Sequence, residues 1–428
     1  MSHARPARLV ATLALATAAL AAQAAEPPLT LDRAWLRAEE TSPALKSAQA
    51  NLAAVEGALT DARGLLWNNP QLSAEFGRRR VPQPGRETGR EREWRAEISQ
   101  TFEIAGQHGL RGEAARQNLS AYRENIEEVR RQLRAEVEQK FVRVLAQQTR
   151  LATETELVEL IGSAAAAARK RFAAGEDARL DSNLAEVELG RAENQLEAAR
   201  EQLIAARADL ATTLQWPAET RLEVQGVFSP ETETAIPYTL AQLLASADER
   251  PLLRALGHQA RAARSRLGLE RAAKMPDVTV GLYTGREGSG EARERVAGLS
   301  VSMPLPFFRG NAEGIGRAGA ELDQTLIERQ AAVRDTRANV TALWQRLSSQ
   351  RDRVERLRRF VLQRLQDNQR LSTSAYRAGE IDLAQWLLAT RQTLETRREI
   401  LEAMTELALT RVALEQAAGW KRGWAAIP

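Results

Sequence analysis

The chain contains no cysteine, which excludes disulfides, thiolate metal sites and a lipid-modified N-terminal cysteine together. Histidine is almost as scarce. Beyond the leading segment only His108 and His258 remain, with Met275, Met303 and Met404 scattered along the chain. A metal cage needs several converging ligands, and this distribution does not supply one. Long apolar runs are also missing: after residue 24 no stretch approaches 18 residues, so no transmembrane helix is available. Any membrane crossing must therefore use β-strands. Charges of both signs are interspersed and no concentrated basic face stands out, which argues against nucleic acid as a partner. The segment Arg309-Gly310-Asn311-Ala312-Glu313-Gly314 lacks the lysine and spacing of a phosphate loop. No nucleophile–base set is present either, so the sequence points away from an enzyme and implies no cofactor.

What is present begins with an export signal. Arg5 and Arg8 form a basic start, Leu9 to Ala21 carries no charge, and Ala22-Gln23-Ala24 offers a cleavage site. Residues 1–24 are thus read as a signal peptide, the apolar run being shorter than the ~20 residues of a membrane anchor. The net charge of +4 falls to about +2 once Arg5 and Arg8 are removed.

Helical patterns dominate the remainder. Leu45, Leu52, Leu59 and Leu66 recur every seven residues, as do Leu189, Leu196, Leu203 and Leu210, with Ala192, Ala199 and Ala206 on a second seam. The longest series is Leu326, Val333, Val340, Leu347, Val354 and Val361. A sustained period of seven specifies a left-handed coiled coil. Gly109–Arg171 and Asn311–Ala375 contain no proline, and each spans roughly 95 Å if helical throughout. Such helices form an elongated bundle or tube rather than surround one compact core.

Four segments alternate with period two instead: Pro70–Gly77, Glu93–Glu103, Pro276–Gly285 and Arg295–Leu305. Each is close to the ~9–11 residues that cross a bilayer as a tilted strand. The charged stretches Arg78–Arg92 and Arg286–Glu294 read as the loops that join them in pairs.

An internal duplication organises these parts. At an offset of 204, Ala174-Gly175-Glu176 answers Ala378-Gly379-Glu380, and Leu203, Arg207, Leu210 and Trp216 answer Leu407, Arg411, Leu414 and Trp420. Each half reads helix, β-hairpin, very long helix, glycine turn, helix. The expected division is a first repeat at 25–216 with its hairpin at 70–103, a linker at 217–237, a second repeat at 238–420 with its hairpin at 276–305, and a tail at 421–428. Four strands cannot close a barrel, since the smallest single-chain barrels use about eight. If the strands lie in a membrane, several chains must share one barrel; three chains would supply twelve strands.

Over the whole mature chain the sequence resembles the TolC outer-membrane factor family. Its strand regions are similar to the cobalt–zinc–cadmium efflux branch, on Asn69-Pro70-Gln71-Leu72, Ser99-Gln100-Thr101-Phe102-Glu103-Ile104-Ala105-Gly106, Pro276-Asp277-Val278-Thr279-Val280-Gly281-Leu282 and Gly298-Leu299-Ser300-Val301-Ser302-Met303-Pro304-Leu305-Pro306. The resemblance implies a mainly α chain with a membrane β part, in which duplicated coiled-coil helices form a periplasmic α-barrel. Four strands per chain would join a 12-stranded barrel shared by a homotrimer. It further implies an outer-membrane location and contact with outer-membrane lipid. The partners implied are a periplasmic adaptor and an inner-membrane proton-driven pump, and the cargo heavy-metal cations such as Co, Zn or Cd. The competing reading is a periplasmic coiled-coil adaptor or scaffold without its own pore.

The glycine turns at Ala174-Gly175-Glu176 and Ala378-Gly379-Glu380 resemble the family's periplasmic tips, where the adaptor docks; the plainer reading is a chain reversal between helices. Tyr376 and Asp181 match a family tyrosine–aspartate link that closes the aperture. Ile381 stands where a family arginine often makes a second link, and Gln385 and Leu388 stand where the best-known member has two aspartates. Glu176, Asp177, Glu380 and Asp382 could form an acidic mouth, or be solvated acids at helix N-termini favoured by the dipole.

Overall fold

The computed structural model describes residues 28–420 apart from 84–85, 176–177, 219–221, 227, 229–235 and 288–293, with backbone alone for 79–91 and 366. The expected signal peptide and the tail at 421–428 lie outside the described residues. Element order is α1 (Leu31–Thr41), α2 (Pro43–Ala62), β1 (Gln71–Gln83), β2 (Arg86–Phe102), α3 (Gln107–Ala173), α4 (Arg179–Thr213), α5 (Leu240–Asp248), α6 (Pro251–Ala272), β3 (Val278–Glu287), β4 (Glu294–Ser302), α7 (Ala312–Arg356), a π-helical turn (Leu357–Leu362), α8 (Gln363–Ala378) and α9 (Leu383–Ala418).

Two compact units share this chain. One draws on residues up to Ser42, on Leu133–Ile236 and on Leu347–Val412; the other on Pro43–Gln132, Pro237–Arg346 and from Ala413 onward.

The first unit is helical, and one of its core clusters sits where α1, α3 and α4 meet. Ala34 and Ala38 of α1 pack with Val137, Phe141 and Val144 of α3 and with Leu203, Leu210 and Leu214 of α4. Alanine at the close approaches and leucine at the heptad positions is the division of labour the two seams of α4 specify. Part of the span read as linker also belongs here. The Leu29 amide donates to the Glu223 carbonyl at 2.7 Å and the Gln225 amide to the Leu29 carbonyl at 2.9 Å, which buries Leu222 and Val224.

The second unit carries the sheet. Its order is β1-β2-β3-β4, every neighbour antiparallel. Leu72, Ile98, Leu282 and Leu299 stand directly opposite one another across all four strands and are 79, 52, 62 and 63 % exposed. A continuous apolar row left uncovered by its own chain is suited to lipid, not water. The opposite face is polar. The Ser300 hydroxyl donates to Glu97 at 2.6 Å, and the Arg95 guanidinium lies 4.1 Å from the centre of the Tyr283 ring. Gly298 makes room for that ring, because a Cβ there would come within 2.5 Å of the Tyr283 hydroxyl.

Trp216 and Trp420, which answer each other in the duplication, have settled into different contacts: the Arg37 guanidinium lies 4.3 Å from the centre of the Trp216 ring, whereas Trp420 meets Tyr238. Thr239 opens α5 with a reciprocal capping box to Gln242. Tyr238, just before it, packs against Trp344 and Trp420 at ring separations of 6.3 and 5.2 Å and donates its hydroxyl to Glu415 at 3.0 Å.

Three expectations are corrected. Neither expected loop holds at its ends: β1 continues to Gln83 and β2 starts at Arg86, with Arg78 paired to Arg92 and Arg80 to Arg90, while Arg286 and Glu287 belong to β3 and Glu294 to β4. The ladder is made by backbone groups whatever the side chains carry, so strand pairing outlasts the apolar pattern. Leu66 lies beyond α2, which ends at Ala62, so the first heptad series stops one repeat early. The longest series is buried only in its middle, at Val340, Leu347 and Val354. Leu326 is exposed, and Val361 falls in the π turn, whose extra residue per turn rotates the seam out of register.

Candidate functional site

The tips are built by two long arms. α3 is a single helix of 67 residues, about 100 Å at 1.5 Å per residue. Its counterpart runs through α7, the π turn and α8, from Ala312 to Ala378. Each arm ends at a glycine in the left-handed region, with φ +77° at Gly175 and +75° at Gly379. That conformation is open to glycine and strained for β-carbon residues. At the second tip the Gly379 amide donates to the Tyr376 carbonyl at 3.1 Å and the Glu380 amide to the Ala375 carbonyl at 2.9 Å, so the last carbonyls of α8 are satisfied.

The chain then re-enters a helix on each side, by different means. Asp382 accepts the Gln385 amide at 2.7 Å through its carboxylate and thereby caps α9. α4 starts after Ala178 with no side-chain cap, and Asp181 stands in its first turn. Ala174, Ala378 and Glu380 are exposed, as are Asp382 and Gln385, while Asp181 and Tyr376 are half-buried. Glu176 and Asp177 lie outside the described residues.

Sequence reasoning missed the side chain on which the tip packs. Trp386, only 2 % exposed, sits with Ala164, Ala165 and Ala168 of α3, Ala185 of α4 and Leu383 and Leu387 of α9. Its indole Nε1 donates to the Thr373 hydroxyl at 3.3 Å. The Tyr376 ring stacks on it at 5.3 Å with 22° between planes, and the Arg171 guanidinium lies 5.6 Å from the centre of that tyrosine ring. At the duplication offset, Ser182 stands where Trp386 does and Phe172 where Tyr376 does, so the two tips are not chemically equivalent. That substitution pattern is visible in the sequence once the halves are aligned.

Farther along the same unit the helices are tied by charge. Arg398 grips the fully buried Glu154 with two hydrogen bonds of 2.7 and 2.6 Å. Glu188 accepts from Arg191 at 2.9 Å and from Arg391 at 2.5 Å. The hydrogen bond to Glu188 also raises the Arg391 pKa above its ordinary value. These pairs fix one helix against another. They do not converge as a metal site or a nucleophile–base pair would, and among the described residues no cluster of three acids or histidines is placed to hold a metal ion.

The comparisons with known proteins agree with this geometry. The family model "Outer membrane efflux protein" matches residues 34–214 and 243–420, one span in each half. The cobalt-zinc-cadmium resistance protein CzcC of Cupriavidus metallidurans is 26 % identical over 372 residues, covering 86 % of this chain and 85 % of that protein. The nickel-cobalt-cadmium resistance protein NccC of Alcaligenes xylosoxydans xylosoxydans is 24 % identical over 346 residues, covering 78 % of this chain and 74 % of that protein. In fold, a membrane protein of Pseudomonas aeruginosa superposes with a TM-score of 0.75 at 19 % identity, covering 91 % of this chain and 92 % of that one. The poreless scaffold reading gives way to these matches and to the lipid-suited row on the sheet. With both halves of the chain matched, the chain belongs to the outer membrane efflux protein family, the outer-membrane channels that carry a large periplasmic helical domain.

Proposed function

We propose that the chain is the passive exit duct of a tripartite heavy-metal efflux pump, working as a homotrimer with a periplasmic adaptor and a proton-driven inner-membrane pump. The carrying observation is the four-stranded antiparallel sheet, apolar on one face, whose outer strands β1 and β4 have no further neighbour among the described residues. In lipid an unpaired strand edge is prohibitively costly, and closure with further copies removes it. The metal assignment is supported by two relatives named for cobalt and cadmium resistance. No metal site is needed in the duct itself, because selection belongs to the pump and adaptor.

Within this reading the turns at Ala174, Gly175, Glu176 and at Ala378, Gly379, Glu380 are the adaptor-docking tips. Asp181 and Tyr376 close the aperture, with Asp177, Asp382 and Gln385 at its mouth. The capping bond of Asp382 gives that residue a structural task as well. Deletion followed by exposure to a panel of metals and hydrophobic drugs tests the cargo. The expected outcome is lost tolerance to Co²⁺, Zn²⁺ or Cd²⁺, restored by the intact gene. Drug sensitivity with unchanged metal tolerance would overturn the metal assignment.

A further inference from the structure

Strand register places Arg78 directly opposite Arg92, and Arg286 directly opposite Arg295. Both are like-charge pairs, an arrangement that destabilises a sheet unless something neutralises it. All four arginines are exposed, and among the described residues none of them is paired with a carboxylate. The alternation of the strands puts them on the same face as the row Leu72, Ile98, Leu282 and Leu299. Phe76 and Trp94 are paired on that face too, with Trp94 next to Arg286. The opposite face does not answer this charge: there Glu75 stands across from Arg95, and Glu287 across from Glu294.

Height along the strand is equally specific. From Trp94 to Phe102, where β2 ends, is nine residues, within the ~9–11 that a tilted strand needs to cross the apolar band of an outer-membrane barrel. The arginines therefore begin where the band ends and an aromatic girdle is expected. They lie at the hairpin end, away from the helices that follow Phe102 and precede Val278. In an outer-membrane channel with a periplasmic helical domain, that end meets the outer leaflet.

We propose that Arg78 and Arg92, one step beyond Phe76 and Trp94, and Arg286 and Arg295, level with them, bind from the lipid-facing side of the sheet the phosphate groups of a phosphorylated glycolipid of the outer leaflet. Guanidinium groups match phosphate oxygens with two parallel hydrogen bonds. The long side chains lie over the apolar rim while their charged ends reach the headgroup layer. Phosphate between opposed arginines converts the repulsion across the strands into attraction. The assignment rests on the membrane location of the sheet, which outer-membrane fractionation checks independently for every variant.

The test uses the full chain purified in detergent, with bisphosphorylated lipid A, dephosphorylated lipid A and inorganic phosphate as probes, read by native mass spectrometry. The intact chain is expected to bind the bisphosphorylated lipid about ten-fold more tightly than the dephosphorylated one, since charge-assisted bonds are being lost. The preference should weaken with salt. Replacing all four arginines (R78Q, R92Q, R286Q, R295Q) should remove the preference, while Arg95→Gln on the opposite face should leave it. Equal binding of the two lipids by the intact chain overturns the proposal without recourse to any variant. A quadruple variant that keeps the preference overturns it too, and so does displacement of the lipid by inorganic phosphate at equal concentration.

Discussion

Tyr376 and Trp386 hold the second tip by stacking, and the two residues answer differently to replacement. The buried indole supplies packing area against three alanines of α3 and one of α4. Trp386→Ala should therefore cost about 3–5 kcal/mol, seen as a lower thermal midpoint. Tyr376→Phe keeps the stacked ring. Combined with Asp181→Ala it removes only the proposed closing link, and a hydrogen bond of this kind contributes about 0.5–1.5 kcal/mol. The double variant is expected to fold with an unchanged midpoint and to show larger single-channel conductance in planar bilayers. Unchanged conductance would return Asp181 to the role of a first-turn acid favoured by the helix dipole. The tip glycines were legible in advance because a left-handed turn between long helices has few other occupants. Trp386 was not, since a tryptophan at helical spacing reads as ordinary core until the two halves are compared. Glu154 and Arg398 were not legible either: their partnership spans 244 residues of chain and only the folded helices bring them together.

At the scale of elements, the strands were recognisable where apolar and polar residues alternate and invisible where charge replaces that alternation. Arg78–Arg92 contains proline and glycine amid charges, which is the composition of a loop, yet its backbone pairs for most of its length. The π turn at Leu357–Leu362 carries neither proline nor glycine, so no local residue announces it. It follows the last buried heptad position, Val354, and ends the regular seam there. The sheet's two faces allow a sharper test than its boundaries. Leu282 lies at the centre of the apolar row, with Ile98 and Leu299 opposite it. Leu282→Arg should lower the stability of the membrane-inserted protein by about 2–4 kcal/mol, the cost of a cation near the bilayer midplane. Ser99→Arg, on the polar face of the same region, should cost much less. Urea titrations in lipid vesicles compare the two, and equal losses would mean that the apolar row does not face lipid.

For the whole molecule the unresolved demand is the pair of sheet edges. Four strands in the order β1-β2-β3-β4 leave β1 and β4 as termini, and a closed, symmetric ring of identical copies joins one to the other. Three copies give twelve strands, within the range of natural barrels, whereas two give eight, the smallest size, whose interior is filled by side chains. An exit duct requires the larger ring. The cysteine-free sequence is a clean background for testing it, because any disulfide formed reports only the residues introduced. A cysteine at Ser73 on β1, combined in turn with single cysteines along β4 from Val296 to Ser302, should yield on oxidation a covalent ladder that stops at the trimer. At the matching register the ladder should be nearly complete, since neighbouring strands lie about 4.8 Å apart and disulfide formation demands Cα atoms within roughly 7 Å. A ladder that stops at the dimer, at every position tried, would replace the shared twelve-stranded barrel with a closed eight-stranded one and remove the open duct from the proposed function.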